Sequence, residues 1–232
     1  MRAIKGFSRW LWIEKRTNED VLRNLRLMNA KAHKRRERRS LTTQELTTLV
    51  ETTETCGKRL CGFVARDRAM LYLIASFTGL RASELASLTV SSFDLENATV
   101  TVEAGYSKRR RKDVLPLHPS LVSRLVPWLE KKTKALWPSG WAERMHGGKM
   151  IQRDLKRAGI DYVDEQERHA DFHALRHTFI TSLARSGVHP LKAKELARHS
   201  TITLTMDVYS HIETDELRDA LGSVPFIDGR RE

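Results

Sequence analysis

Apolar positions recur every three or four residues along most of this chain, the spacing that lines one face of a helix. Ile4, Phe7, Trp10, Leu11 and Ile13 predict an amphipathic helix over 2–15. Val21, Leu22, Leu25 and Leu27 predict a second, shorter helix from Asp20 to about Met28. Two helices with so many large apolar side chains cannot close a core alone. They read as the end of a helical domain, or as a brace on the next one. The pattern lapses over 29–40, a basic stretch read as a linker. It resumes at Thr42-Thr43-Gln44-Glu45, a capping box with Thr42 as the cap and Glu45 three residues on. That box starts a helix through Leu46 and Leu49 to about Glu54. A longer apolar helix is expected from about Asp67 to Thr78, ended by Gly79, and another begins at Arg81.

The period then changes. ATVTV (98–102) alternates, and DVLPL (113–117) is a second β-like run; the basic turn SKRRRK lies between them. Pro116 suits an edge strand, because proline has no N–H to give a ladder. Beyond Pro119 the helical spacing returns, over about 120–132, 148–158, 173–186, 190–197 and 203–210, with a candidate last helix at 214–221. Gly187 and Pro190 separate two of these. No internal repeat is visible. The expected fold is mostly α with a small antiparallel β-sheet, an α+β class.

Charge changes this picture. The 232 residues carry a formal net charge of +12, clustered in KAHKRRERR (31–39) and SKRRRK (107–112). Clustered positive charge favours a polyanion, most often nucleic acid, over a basic surface with no specific partner. Cys56 and Cys61 are the only cysteines, and one such pair without clustered histidines is no zinc site; two reduced thiols are expected. No run approaches the length of a membrane span, and the first residues have no signal-peptide core, so a cytoplasmic protein is expected.

The chemistry concentrates at five places. Arg81 lies in TGLRASEL and Lys108 in the basic β-turn. His173 and Arg176 share a helical face with His177 in HALRHT; His199 lies in ARHST and Tyr209 in MDVYSH. Each has an ordinary reading: a surface arginine, a solvated lysine, a structural histidine, a core tyrosine. HALRHT itself fits either a salt-bridged surface face or a phosphate pocket. Together they suit attack on a phosphodiester. Two guanidiniums neutralise the nonbridging oxygens bidentately. Histidines bond those oxygens or move a proton. A phenol is a competent nucleophile once a base or cationic pocket offsets its pKa of about 10. A lysine ammonium protonates the leaving oxygen. No carboxylate cluster stands ready for Mg²⁺, so no metal and no cofactor are expected. Glu84, three residues after Arg81, is either its orienting partner or a surface carboxylate.

These stretches resemble the tyrosine recombinase, or phage integrase, family. TGLRASELASLTVSSFDL resembles its first arginine box and GYSKRRRKDVLPLHP its β-hairpin lysine box. The segment from DFHALRHTF to MDVYSHI resembles its second box. The resemblance runs over about 42–212. It implies the family's catalytic-domain fold over 42–232, a basic linker at 29–41, and at 1–28 a remnant of the helical core-binding domain, as in an integrase lacking its first part. It implies that Arg81 and Arg176 clamp the scissile phosphate and that Lys108 is the general acid. His173 and His199 would bond the phosphate and help proton transfer, and Tyr209 would form a 3′-phosphotyrosine link without metal or ATP. His177 falls outside that set and reads as structural support. The implied partners are double-stranded DNA and three further copies of the chain, a homotetramer on two DNA sites, in the setting of a phage or other mobile element. The alternatives are a decayed integrase that binds DNA without strand exchange, and a type IB topoisomerase-like activity. Leu217, Leu221 and Phe226 of the tail would dock on a neighbouring protomer or on their own domain.

Overall fold

The computed structural model describes residues 2–26, 37–106, 110–133 and 135–210. The chain divides into two compact units, Met1–Glu37 and Arg38–Glu232, with β1 (Glu37–Arg38) at the seam.

In the first unit α1 spans Arg2–Ile13. The second helix expected from Asp20 is absent from its described part, where residues 21–24 form a turn. The competing bonds explain this. Ser8 Oγ donates to Asp20 Oδ1 (2.5 Å), and the same carboxylate accepts the N–H of Leu22 (3.2 Å). Lys5 Nζ takes the carbonyls of Arg23 (3.1 Å) and Leu25 (2.8 Å). An aspartate that bonds its own backbone offers the chain an alternative to helix, and a helix this short has little to oppose it. Ser8 is the buried residue of α1, while Ile4, Phe7, Trp10 and Ile13 stay exposed, with Phe7 and Trp10 stacked at 5.7 Å.

The second unit opens at Arg38, ahead of the expected boundary at Thr42. Arg38 pairs with Asp171 (2.8 Å), the N–H of Arg39 donates to the carbonyl of His169 in β5 (Arg168–His169), and buried Leu41 donates its N–H to Thr178 (2.9 Å). Residues 38–41, expected to be linker, are therefore packed. Their partners lie more than a hundred positions away, beyond the reach of a local charge count.

α2 (Thr43–Thr55) starts at the expected capping box: Glu45 N–H donates to Thr42 Oγ1 (3.1 Å) and Thr42 N–H to Glu45 Oε2 (2.8 Å). α3 (Ala65–Thr78) is the central helix, packed on α2 and on α7 (Ala174–Arg185). Gly79 ends it with φ +63, and a Cβ there would lie 2.5 Å from Phe179 Cδ1, so both backbone and packing require glycine. α4 (Ala82–Ser87) follows.

Three antiparallel strands come next: β2 (Phe93–Asp94), β3 (Thr99–Val102) and β4 (Asp113–Pro116), in the order β2-β3-β4. Val100 faces Leu115 and Val102 faces Asp113. β2 escaped the sequence pattern because two residues carry no period. Pro116 sits on an edge strand, as expected. Then come α5 (Pro119–Leu129), α6 (His146–Arg157), α7, α8 (Pro190–Ala197) and α9 (Thr203–Tyr209). The candidate helix at 214–221 and the tail residues Leu217, Leu221 and Phe226 lie outside the described residues. The fold is mostly α with a small three-stranded antiparallel sheet, as the pattern predicts, and a second pairing of two short strands, β1 with β5.

The core, built on Leu49, Leu71, Ile74, Leu85, Trp128 and Met150, has a charged pair at its edge. Arg68 and Asp154 are both fully buried and bonded at 2.8 Å; Tyr72 Oη also donates to Asp154 (2.8 Å), as does Arg157 (2.6 Å). Asp154→Ala leaves the Arg68 guanidinium buried without its carboxylate, which costs about 3–5 kcal/mol. Urea unfolding is expected to show a lower midpoint with an unchanged slope. A midpoint equal to that of the parent chain would show the pair to be dispensable.

Candidate active site

Arg81 is the N-cap residue of α4. A positive side chain there opposes the helix dipole, and Glu84 in the first turn offsets it. Glu84 Oε2 accepts the Arg81 N–H (2.7 Å), and Oε1 accepts from Arg81 Nη1 (3.1 Å). Glu84 is only 1% exposed, so of its two readings the orienting partner is the observed one. Burial alone would raise its pKa; the Arg198 charge and the bond from the Arg81 N–H outweigh that and hold it below the usual value.

Arg176 enters from the first turn of α7 and is 4% exposed. Its Nη1 donates to the carbonyl of Gly79 and its Nη2 to the carbonyl of Ala197. Both acceptors are helix-end carbonyls, left without an intrahelical partner where α3 and α8 stop. Of five guanidinium N–H groups, two serve these carbonyls, which leaves donors for an anion. Burial, then repulsion from Arg81 and Arg198, lowers its pKa to about 9, so it stays charged at pH 7.

The two histidines flank this pair. His173 is the residue before α7 and is exposed. Its pKa falls to about 4, through desolvation first and then the charges of Arg38 and Arg176; the exposure weakens the desolvation part, whereas the cationic neighbours remain. His199 is 6% exposed and shares a 2.9 Å hydrogen bond between Nδ1 and Thr205 Oγ1 of α9. Its pKa also falls to about 4, through burial and then Arg176 and Arg81. Arg81, Arg176 and His199 thus lie within electrostatic reach of one another, and His173 within reach of Arg176 and His199, with His177 beside both histidines. Arg176 of HALRHT is buried and bonds two backbone carbonyls, not a surface carboxylate.

A pH dependence follows. Unfolded histidines titrate near 6.5 and the folded pair near 4, so between these values the unfolded chain binds more protons. Stability is therefore expected to be full above pH 6.5 and to fall as pH drops towards 4. Thermal melts across this range check it, with His199→Gln expected to flatten the slope. An equal slope in that variant would assign the dependence to other groups.

Tyr209 ends α9 and is largely buried. Its phenol donates to the carbonyl of Val188 (2.5 Å), between α7 and α8, and burial raises its pKa. The phenolic proton is held by a backbone carbonyl and not by the cationic cluster. Lys108 lies outside the described residues; the strands that carry its turn, β3 and β4, are in place. Among the described residues no group of histidine, cysteine, aspartate and glutamate is arranged to hold a metal ion, and Cys56 and Cys61 are free thiols.

Residues 39–216 match the family model described as the phage integrase family. The chain belongs to the phage integrase family of tyrosine recombinases.

A tyrosine recombinase XerC of Pelotomaculum thermopropionicum is 30% identical over 228 residues, covering 94% of this chain and 71% of that protein. Other proteins named tyrosine recombinase XerC are matched over about half of their own length. Among solved structures, the catalytic domain of bacteriophage HP1 integrase aligns with a TM-score of 0.57 at 23% identity, over 84% of this chain and 100% of that one. A XerH site-specific recombinase bound to a palindromic difH substrate aligns with a TM-score of 0.62 at 22% identity, over 88% of this chain and 57% of that one. At such identities the structural likeness carries the fold alone. No described helix is long and apolar enough to cross a membrane.

Sequence reasoning missed four groups that contact the candidate residues or their partners. Arg198, Asp113, Thr205 and the Val188 carbonyl carry no motif of their own, and each acts through a partner distant in sequence or exposed only by the fold. The one local signal was a second arginine directly before His199.

Proposed function

We propose that this chain breaks and rejoins DNA at a specific site through a covalent 3′-phosphotyrosine link at Tyr209. The convergence of Arg81, Arg176, His173 and His199 in one cationic pocket is the observation that carries the reading. The guanidiniums of Arg81 and Arg176 neutralise the nonbridging oxygens of the scissile phosphate. The histidines, uncharged at pH 7 in the free pocket, suit proton acceptance, and an arriving phosphate makes their protonation easier. Tyr209 exchanges the Val188 carbonyl for the phosphate and passes its proton to an imidazole. The phosphorus–tyrosine bond forms as the bond to the 5′-oxygen breaks. Lys108, brought by the hairpin, protonates that 5′-oxygen. A 5′-hydroxyl then attacks the phosphotyrosine and restores a phosphodiester, so no ATP is consumed. The family resemblance supports the site assignments and an assembly of four protomers on two double-stranded DNA sites. The net charge of +12 supports a DNA partner.

Covalent capture tests this. The purified chain is mixed with double-stranded genomic DNA in EDTA, stopped with SDS, and protein-linked DNA is recovered and sequenced. The expected result is an adduct whose ends define one recurring site. Salt-sensitive binding with no adduct would mean a protein that holds DNA without cutting it. Relaxation of supercoiled plasmid with no recombinant product would mean topoisomerase-like chemistry.

A further inference from the structure

We propose that Arg198 is a positioning residue, whose buried guanidinium ties the α4 cap holding Arg81 and the first residue of β4 to the turn that carries His199. Its consequence for cleavage rests on the function proposed above.

The backbone points to it first. Arg198 closes α8 with φ 52 and ψ 46, the left-handed region; the His199 N–H reaches back to the carbonyl of Lys194 (3.0 Å) in a Schellman arrangement. Glycine takes this position without penalty, and any other side chain is strained there. A side chain in such a place calls for an interaction that offsets the strain. Arg198 is 2% exposed, and its two terminal nitrogens reach two carboxylates, Glu84 Oε2 (2.5 Å) and Asp113 Oδ2 (3.5 Å). Each carboxylate holds a second arginine: Glu84 bonds Arg81 (3.1 Å), and Asp113 bonds Arg111 (3.0 Å). Charges therefore alternate along one row, Arg111, Asp113, Arg198, Glu84, Arg81.

This row joins three of the segments that bear the candidate chemistry: the β4 end of the lysine hairpin, the α4 cap, and the turn before His199. Removing its middle member takes from Glu84 and Asp113 the cation they share, and leaves Glu84 to Arg81 and Asp113 to Arg111 on opposite sides of the site. Glu84 would then hold Arg81 alone and draw that guanidinium inward. The β4 end would lose its tie to the pocket. Displacements of this kind lower the rate of an oriented reaction far more than they lower binding.

Arg198→Gly suits the left-handed backbone and removes the whole side chain, guanidinium included. Arg198→Lys keeps the charge. Single-turnover cleavage of a nicked suicide DNA at saturating protein, DNA affinity, and hydrogen exchange are measured for both variants and the parent chain. In Arg198→Gly the cleavage rate is expected to fall roughly 10- to 100-fold while affinity changes by less than about twofold. Arg198→Lys is expected to recover part of that loss. Protection is expected to drop together at the Arg81 N–H and along β4. Cleavage by Arg198→Gly at the parental rate overturns the proposal. So does a loss of rate with protection kept at either place. If the parent chain forms no adduct, the proposed function fails by itself and exchange alone decides: protection lost at both places upholds the tie, and protection kept at either one ends it.

Discussion

Tyr209→Phe abolishes the covalent adduct while leaving DNA affinity within about twofold of the parent chain, as expected when the lost group acts only in the chemical step. Phenylalanine keeps the ring, which is 9% exposed, and removes only the hydroxyl that donates to Val188. The stability cost of that one bond is about 1 kcal/mol. No folding defect therefore stands between the variant and the assay. In the proposed mechanism the Tyr209 phenol forms the phosphotyrosine, so the fall in adduct formation is expected to exceed about 10⁴-fold, the scale seen when a covalent nucleophile is removed. SDS-stable protein–DNA complexes, counted beside filter binding, give the measurement. An adduct that survives Tyr209→Phe assigns the nucleophile elsewhere.

Arg176→Lys lowers the single-turnover cleavage rate by about 10²–10³-fold, the loss typical of one misplaced donor to a developing anion. Arg176 spans two helix-end carbonyls, those of Gly79 and Ala197, and still presents further N–H groups. A lysine ammonium is a point donor. It cannot bridge both carbonyls and also bind a phosphate with two parallel bonds. The variant retains the charge, so its salt-dependent DNA affinity changes much less than its rate. A rate within about threefold of the parent chain would mean that Arg176 serves as a structural brace alone.

The two substitutions separate what local sequence encodes from what folding adds. Thr42, Glu45 and Gly79 were legible because capping and left-handed termination act over three or four residues. Helix spacing located α2 to α9 for the same reason, and the alternation in 98–102 and 113–117 located β3 and β4. The second N-terminal helix failed because Lys5 and Ser8 of a neighbouring helix captured the polar groups of its first turn. The boundary at Thr42 was late because Arg38 and Leu41 find their partners in residues 171 and 178. β2 is too short to show a period.

By itself, then, the amino-acid sequence determined the fold class, most of the helices, the basic character and the identity of the six candidate residues Arg81, Lys108, His173, Arg176, His199 and Tyr209. Each of those rests on spacing, composition or a contiguous motif. Only the tertiary structure decided that Glu84 is buried between Arg81 and Arg198, that Arg176 hangs on the carbonyls of two other helices, and that the phenol of Tyr209 rests on Val188. Apart from the local Arg81–Glu84 bond, those outcomes depend on desolvation and on partners 21 to 114 positions apart, and neither quantity exists until the chain has closed its core.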